Sequence, residues 1–282
     1  MKDRAGVILL ANQILFLGTG GDSIVVGKQM RSSAGIILQL EGNQFVLDPG
    51  PGCLVMSKET NISIRDTVCV LVSHNHTNHS NDVNAVLEAL SVSGLDRIGV
   101  LVTNKKVASG DEKEAPVLKK RSHNFIERVL ELEPGTRIGI NNINIYTTKT
   151  DHFDSDGLGF IFETPKYRIG YTSDTDYSDE IADQYKNCGI LIVNCKNTKD
   201  SKQKGHLSTD DVVKLLNKAK PQLAVITHFG IKMVQEGPLS LAREIQRQTG
   251  VEVLAATEGM SINPSSFAGT MKQMPLNEFS SG

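Results

Sequence analysis

Three histidines crowd into the segment SHNHTNHSND, at His74, His76 and His79. Neutral imidazole is a nitrogen ligand for divalent cations, whereas imidazolium ions packed this closely would repel one another. A shared cation removes that conflict, so the cluster reads as a metal site. His152, His206 and His228 follow much later, each at the end of an apolar run or in a loop, and Asp174 stands in YTSDTD after another such run. Imidazole nitrogen combined with carboxylate oxygen suits zinc, and also manganese or iron. His123, in RSHNF, has no such company and is expected on the surface or at a helix start.

Ligands so far apart along the chain meet only if several strands of a sheet end at one rim. Short apolar runs do alternate with turn signals throughout. The spacing predicts strands over 13–18 and 24–27, then a hairpin of 35–40 and 44–47 around Glu41-Gly42-Asn43. Residues 67–72 form a continuous apolar run, as in a strand covered on both faces. Asp82 is placed to cap a helix carrying Val83, Val86, Leu87 and Leu90 on one side. The second half repeats this layout: a strand over 143–148, a pair over 159–164 and 167–172 across Pro165-Lys166, and buried strands over 190–193 and 223–227. Ser208 can cap a helix whose first turn holds Asp210 and Asp211, and a last helix near 239–247 leads into a strand over 251–255. Gly18-Thr19-Gly20-Gly21 lacks the third glycine of a dinucleotide-binding loop, because Ser23 stands there, and is read as a tight turn bordering the metal site, followed by a strand. Residues 104–121 are highly charged and are expected to form a solvated loop. The alternative is a lid, in which Lys105, Lys106, Lys119, Lys120 and Arg121 would meet a phosphate; a helix-like pattern follows over 125–133.

Within that frame SHNHTNH resembles the HxHxDH signature of the metallo-β-lactamase superfamily, and VLDPGPG resembles the superfamily's first motif. GHLS followed by KPQLAVITHFG is similar to the branch containing tRNA 3′-processing endonucleases and related phosphodiesterases. The resemblance runs from about residue 16 to residue 260. It implies an α/β fold, a four-layer αββα sandwich of two mixed β-sheets flanked by helices, occupying residues 1–264, with 265–282 as a loosely packed or disordered tail. It also implies a hydrolase using a metal-bound hydroxide, on a phosphodiester or other phosphorylated substrate, with two divalent ions. His74, His76 and His152 would hold one ion and His79 and His228 the other, with Asp174 bridging them and positioning the hydroxide. Asp48 would orient the histidine loop, and His206 would lie beside the scissile group as proton donor or charge stabiliser. One position departs from the signature: Asn78 stands where the catalytic Asp belongs. An amide oxygen can ligate but carries no charge, so a weak second site is expected. The departure also leaves open a one-metal or metal-deficient binding or regulatory protein that keeps the fold.

The 282 residues are 39% hydrophobic and 22% charged, with a net charge of −2. Such a balance provides no extended nucleic-acid surface, so a small-molecule or short phosphodiester partner is expected. No run reaches the ~18 apolar residues needed to span a bilayer, and Asn12 and Gln13 interrupt the only leader-like stretch. Cys53, Cys69, Cys188 and Cys195 show no CxxC spacing and are expected as buried free thiols. A cytoplasmic protein follows, and the family resemblance allows a homodimer.

Overall fold

The computed structural model describes residues 11–153 and 156–267. Its first six strands are β1 (Gln13–Phe16), β2 (Ile36–Leu40), β3 (Asn43–Leu47), β4 (Thr67–Leu71), β5 (Val100–Thr103) and β6 (Arg128–Glu131). A second series comprises β7 (Arg137–Ile140), β8 (Ile143–Lys149), β9 (Leu158–Glu163), β10 (Arg168–Tyr171), β11 (Ile190–Asn197), β12 (Leu207–Ser208), β13 (Leu223–Thr227) and β14 (Glu252–Ala255). The last strand, β15 (Ser261–Ile262), returns to the edge of the first sheet beside β1. In the first sheet β1, β2 and β3 are antiparallel, and β3 to β6 are parallel. The second repeats the scheme, antiparallel from β7 to β10 and then parallel through β11, β13 and β14. The duplication hinted at by the order of runs is therefore present in the topology.

Alternation along the strands makes the layers. Phe45 and Leu47 of β3 and Leu71 of β4 turn into the space between the sheets, where they meet Phe160, Phe162, Ile190 and Ile192. The Phe45 and Phe162 rings touch edge to face with centroids 5.6 Å apart. The alternate residues Val46 and Val70 face outward, against Val83, Val86, Leu87 and Leu90. Leu191 and Val193 likewise pack on Val212, Leu215, Leu216 and Ile245. Both faces of each sheet are covered, which is why these strands read as unbroken apolar runs.

The helices between strands of the first sheet are α1 (Ser23–Gly27), α2 (Cys53–Glu59), α3 (Thr77–Ser80), α4 (Val83–Leu90) and α5 (Lys105–Ser109). Those of the second are α6 (Asp179–Gln184), α7 (Thr209–Ala219), α8 (Ile231–Glu236) and α9 (Pro238–Thr249). Ser208 and Asp211 form a capping box on α7, with the Ser208 hydroxyl accepting from the Asp211 amide. Ser208→Ala should therefore lower stability by about 1 kcal/mol, measurable as a shift of the urea midpoint at constant slope.

Several expectations need correction. Residues 24–27 are helical, because the Asp22 carboxylate accepts from the Val25 amide at 2.7 Å and only Val25 is buried. The 125–133 pattern becomes strand β6: Phe125, Ile126, Val129 and Leu130 fit either period, and pairing with β5 decides it. The 104–121 segment is not a plain loop, since Asn104 caps α5 through the Val107 amide at 3.0 Å. Arg121 pairs with Glu88 at 2.7 Å, and Lys106 lies 3.8 Å from Asp111. Asp82 does occupy the N-cap position of α4, but its carboxylate accepts from the Gly52 and Cys53 amides at the start of α2. Residues Pro264–Phe267 form a 3₁₀ turn with Phe267 against the inner core; the remainder of the expected tail, 268–282, lies outside the described residues. All four cysteines are buried and free, and His123 is exposed.

Candidate metal centre

The chain leaves β3, β4, β8, β10 and β13 at a common rim, and there it presents Asp48, His74, His152, Asp174 and His228. Three of these exits use left-handed backbone at residues other than glycine: Asp48 at φ 49°, Ser173 at φ 55° and His228 at φ 64°. Such conformations persist only where surrounding contacts hold them, and they cluster at functional sites. The glycine turn after β1 supplies one of the braces. Gly21 donates to Phe229 O at 2.9 Å, and Phe229 N donates to Thr19 O at 2.7 Å. A Cβ on Gly21 would lie 2.1 Å from the His228 carbonyl oxygen, so that turn must be glycine. It borders the site as expected, although a helix follows it.

Asp48 organises the histidine loop. One carboxylate oxygen accepts from Ser73 N at 2.7 Å; the other accepts from the Ser73 hydroxyl at 2.7 Å, Tyr171 OH at 2.6 Å and His79 Nδ1 at 2.8 Å. Since the Ser73 hydroxyl spends its proton on Asp48, it must accept from His74 Nδ1 at 3.0 Å. His152 Nδ1 donates to the Gly205 carbonyl at 2.8 Å. These contacts commit His74 and His152 to tautomers whose Nε2 atoms carry only lone pairs, and they turn His79 Nε2 toward the same centre.

The inward atoms form two groups that share Asp174. In the first, His76 Nδ1 lies 3.0 Å from His74 Nε2 and 3.3 Å from His152 Nε2, and Asp174 Oδ2 is 3.9 Å from His74 Nε2. In the second, Asp174 lies 3.3 Å from His79 Nε2 and 3.2 Å from His228 Nε2. Ligands of a tetrahedral ion with bonds of ~2.0 Å sit ~3.3 Å apart, which is the observed scale. The Asn78 amide nitrogen is 3.5 Å from His228 Nε2, at the half-exposed side of the second group. His206 Nδ1 is 3.5 Å from Asp174 Oδ2.

Electrostatics point the same way. Burial pulls the His74 imidazole well below its usual range, and His228 is lowered for the same reason. Burial opposes ionisation of Asp174 too, but His228 and His79 hold it well below the ordinary carboxylate value. His79 is drawn down by burial and pushed up more strongly by Asp174 and Asp48, to about 10. His79 Nε2 and His206 Nδ1 remain buried with no hydrogen-bond partner. The lone-pair nitrogens of His74 and His152, converging with His79 and His228 beside the Asp174 carboxylate, fit divalent cations.

All the residues singled out from the sequence, His74, His76, His79, His152, Asp174, His228, His206 and Asn78, are thus brought to one rim. The Asp82 carboxylate belongs to neither ligand group and is engaged by the Gly52 and Cys53 amides. Sequence reasoning missed Tyr171, Asn194 and Lys196. Asn194 Nδ2 donates to Asp174 Oδ1 at 2.8 Å, and a polar residue inside the run ILIVNC was the available signal.

Layers and rim together are those of the metallo-β-lactamase fold. The family model for the β-lactamase superfamily domain matches residues 43–229, and the chain belongs to that family, whose fold is carried mostly by metal-dependent hydrolases. It is 32% identical over 252 residues to an uncharacterized protein of Methanocaldococcus jannaschii, covering 89% of this chain and 94% of the relative. Ribonuclease Z of Methanopyrus kandleri is 24% identical over 152 residues, 54% of this chain and half the length of that protein. Among solved structures, the metallo-β-lactamase fold protein YhfI from Bacillus subtilis superposes with a TM-score of 0.74 at 17% identity, covering 89% of this chain and 98% of its own. No helix among the described residues is long and apolar enough to cross a membrane.

Proposed function

We propose that this chain is a hydrolase that holds two divalent cations, zinc foremost, and cleaves a phosphodiester or other phosphorylated substrate. The observation that carries the reading is the sharing of Asp174 between two ligand groups whose imidazoles are oriented from behind by Asp48, Ser73 and Gly205. His74, His76 and His152 with Asp174 would hold one cation; His79 and His228 with Asp174 would hold the other. When bound, divalent cations lower the pKa of water toward ~7 and polarise a phosphoryl oxygen. Asp174, oriented by Asn194, is then placed to align the attacking water. His206 faces the same space through Nδ1 and is placed to meet charge developing on the substrate. The phosphodiester choice is supported by the likeness to ribonuclease Z, and the net charge of −2 favours a small or short substrate. Four buried free thiols support a reducing, cytoplasmic setting.

The test is elemental analysis of protein purified without chelator, together with hydrolysis of bis(4-nitrophenyl) phosphate in zinc, manganese or iron(II). About two metals per chain and measurable turnover are expected. Asn78 favours the second reading, a binding or regulatory protein with one metal, because an uncharged amide lies beside His228. One metal or none, with no hydrolysis in any cation, would establish that reading instead. Asn78→Asp should raise second-site affinity by about tenfold or more and increase turnover, because it adds a charged oxygen ligand. An unchanged metal titration would show that Asn78 is not what limits the second site.

A further inference from the structure

His206 is held from two sides, and both sides demand the same tautomer. Strand β12 pairs in parallel with the end of β11, Leu207 opposite Cys195 and Ser208 opposite Asn197. That register sets His206, just before β12, beside Lys196, and Lys196 Nζ lies 3.0 Å from His206 Nε2. An ammonium group only donates, so Nε2 must accept and the ring proton belongs on Nδ1. On the other side, Nδ1 lies 3.5 Å from Asp174 Oδ2, buried and without a hydrogen-bond partner. A bare lone pair facing an ionised carboxylate is repulsive, whereas an N–H facing it is favourable.

Lys196 is built into this place. Its carbonyl accepts from Gly230 N at 3.0 Å, and a Cβ on Gly230 would lie 2.5 Å from that carbonyl oxygen and 3.2 Å from Lys196 Cγ. The side chain is half-buried, yet among the described residues it enters no ion pair; the hydrogen bond to His206 is its side-chain partner. A structural salt bridge therefore does not account for the ammonium.

We propose that Lys196 is a positioning residue that locks His206 in the Nδ1–H tautomer, so that the ring presents a hydrogen-bond donor to a substrate oxygen beside Asp174. The proposal rests on the hydrolase reading for its use, but the tautomer itself is observable without any reaction. In this arrangement His206 donates a hydrogen bond and keeps its proton; Lys196 acts only through it.

The imidazole nitrogens of the full-length, ¹⁵N-labelled protein can be read by long-range ¹H–¹⁵N correlation, metal-free and zinc-loaded, with His206→Gln identifying the signals. The wild type should show His206 protonated on Nδ1 and bare on Nε2. In Lys196→Met the proton should shift partly or wholly to Nε2, and Lys196→Arg, also a pure donor, should restore the native pattern. With bis(4-nitrophenyl) phosphate, Lys196→Met should lower kcat about 10- to 100-fold with little change in KM, and Arg should recover most of the loss. A wild-type His206 protonated on Nε2, or an unchanged tautomer in Lys196→Met, would overturn the proposal. A rise in KM with the native tautomer kept would do the same and make Lys196 a substrate-binding cation. If no phosphodiester is turned over, the proposed function fails while the spectra still decide the tautomer.

Discussion

Asp174→Ala is expected to reduce phosphodiester turnover by at least about 10³-fold and to cut the metal content from about two per chain to one at most. The carboxylate is 3% exposed and belongs to both ligand groups, with His79, His228 and His74 at 3.3, 3.2 and 3.9 Å. Its removal leaves one group with three imidazoles, still enough for zinc, and the other with two imidazoles beside an uncharged amide. The weaker group should therefore empty first. Thermal unfolding gives a readout independent of turnover. A ligand at 100 times its dissociation constant stabilises the folded state by ~2.7 kcal/mol. The wild type should therefore gain stability on adding zinc through both sites, and the variant through one. A purely structural carboxylate predicts a different pattern, with a lower melting temperature, two metals retained and turnover reduced only a few-fold.

Much of this centre was legible in the sequence, because imidazole-rich clusters have few structural uses and because the strands that carry them read clearly. The runs over 67–72, 190–193 and 223–227 are apolar without interruption and have sheet on both sides, so no competing period obscured them. Trouble arose where the local pattern fitted two structures. Ile24, Val25 and Val26 favour a strand by side-chain shape, yet Asp22 caps a helical turn there and also accepts from Ile231 N at 2.7 Å. The 125–133 segment places apolar residues at spacings a helix would also use, and only its register beside β5 settles the matter. Tertiary pairing cannot be read from a window of nine residues.

The supporting side chains were illegible for a related reason. Tyr171 reaches Asp48 across 123 positions of sequence, and Asn194 reaches Asp174 because β10 and β11 are parallel neighbours. Nothing in the local composition of either residue names its partner. Lys196 and His206 are closer in sequence, but their contact depends on the two-residue strand β12, too short to stand out from the chain around it. Ligands announce themselves by type, whereas the residues that orient them are recognisable only once the sheet order is known.

Asp48→Ala should be the most damaging change to stability that leaves every ligand in place. The carboxylate is 4% exposed and accepts from Ser73 N, the Ser73 hydroxyl, Tyr171 OH and His79 Nδ1. Stranding a buried donor costs about 1–3 kcal/mol, and water entering the gap would satisfy some of these groups, so a net loss of about 3–5 kcal/mol is expected. Metal affinity should fall about 10- to 100-fold as well, because His79 loses the partner that aims its Nε2 and the freed Ser73 hydroxyl no longer holds His74 in one tautomer. Asp48→Asn separates charge from backbone strain: asparagine tolerates the φ of 49° as aspartate does, whereas alanine does not. An amide brings one good acceptor oxygen where two are needed, so the Asn variant should fall between wild type and Ala in both stability and zinc affinity. Tyr171→Phe removes one of the four donors, and its effect should shrink in the Asp48→Ala background, giving a coupling of about 1–2 kcal/mol in a double-mutant cycle. Additive losses in that cycle, with zinc affinity unchanged in Asp48→Ala, would show that the histidine loop holds its shape without the carboxylate and that the ligand orientation comes from the backbone alone.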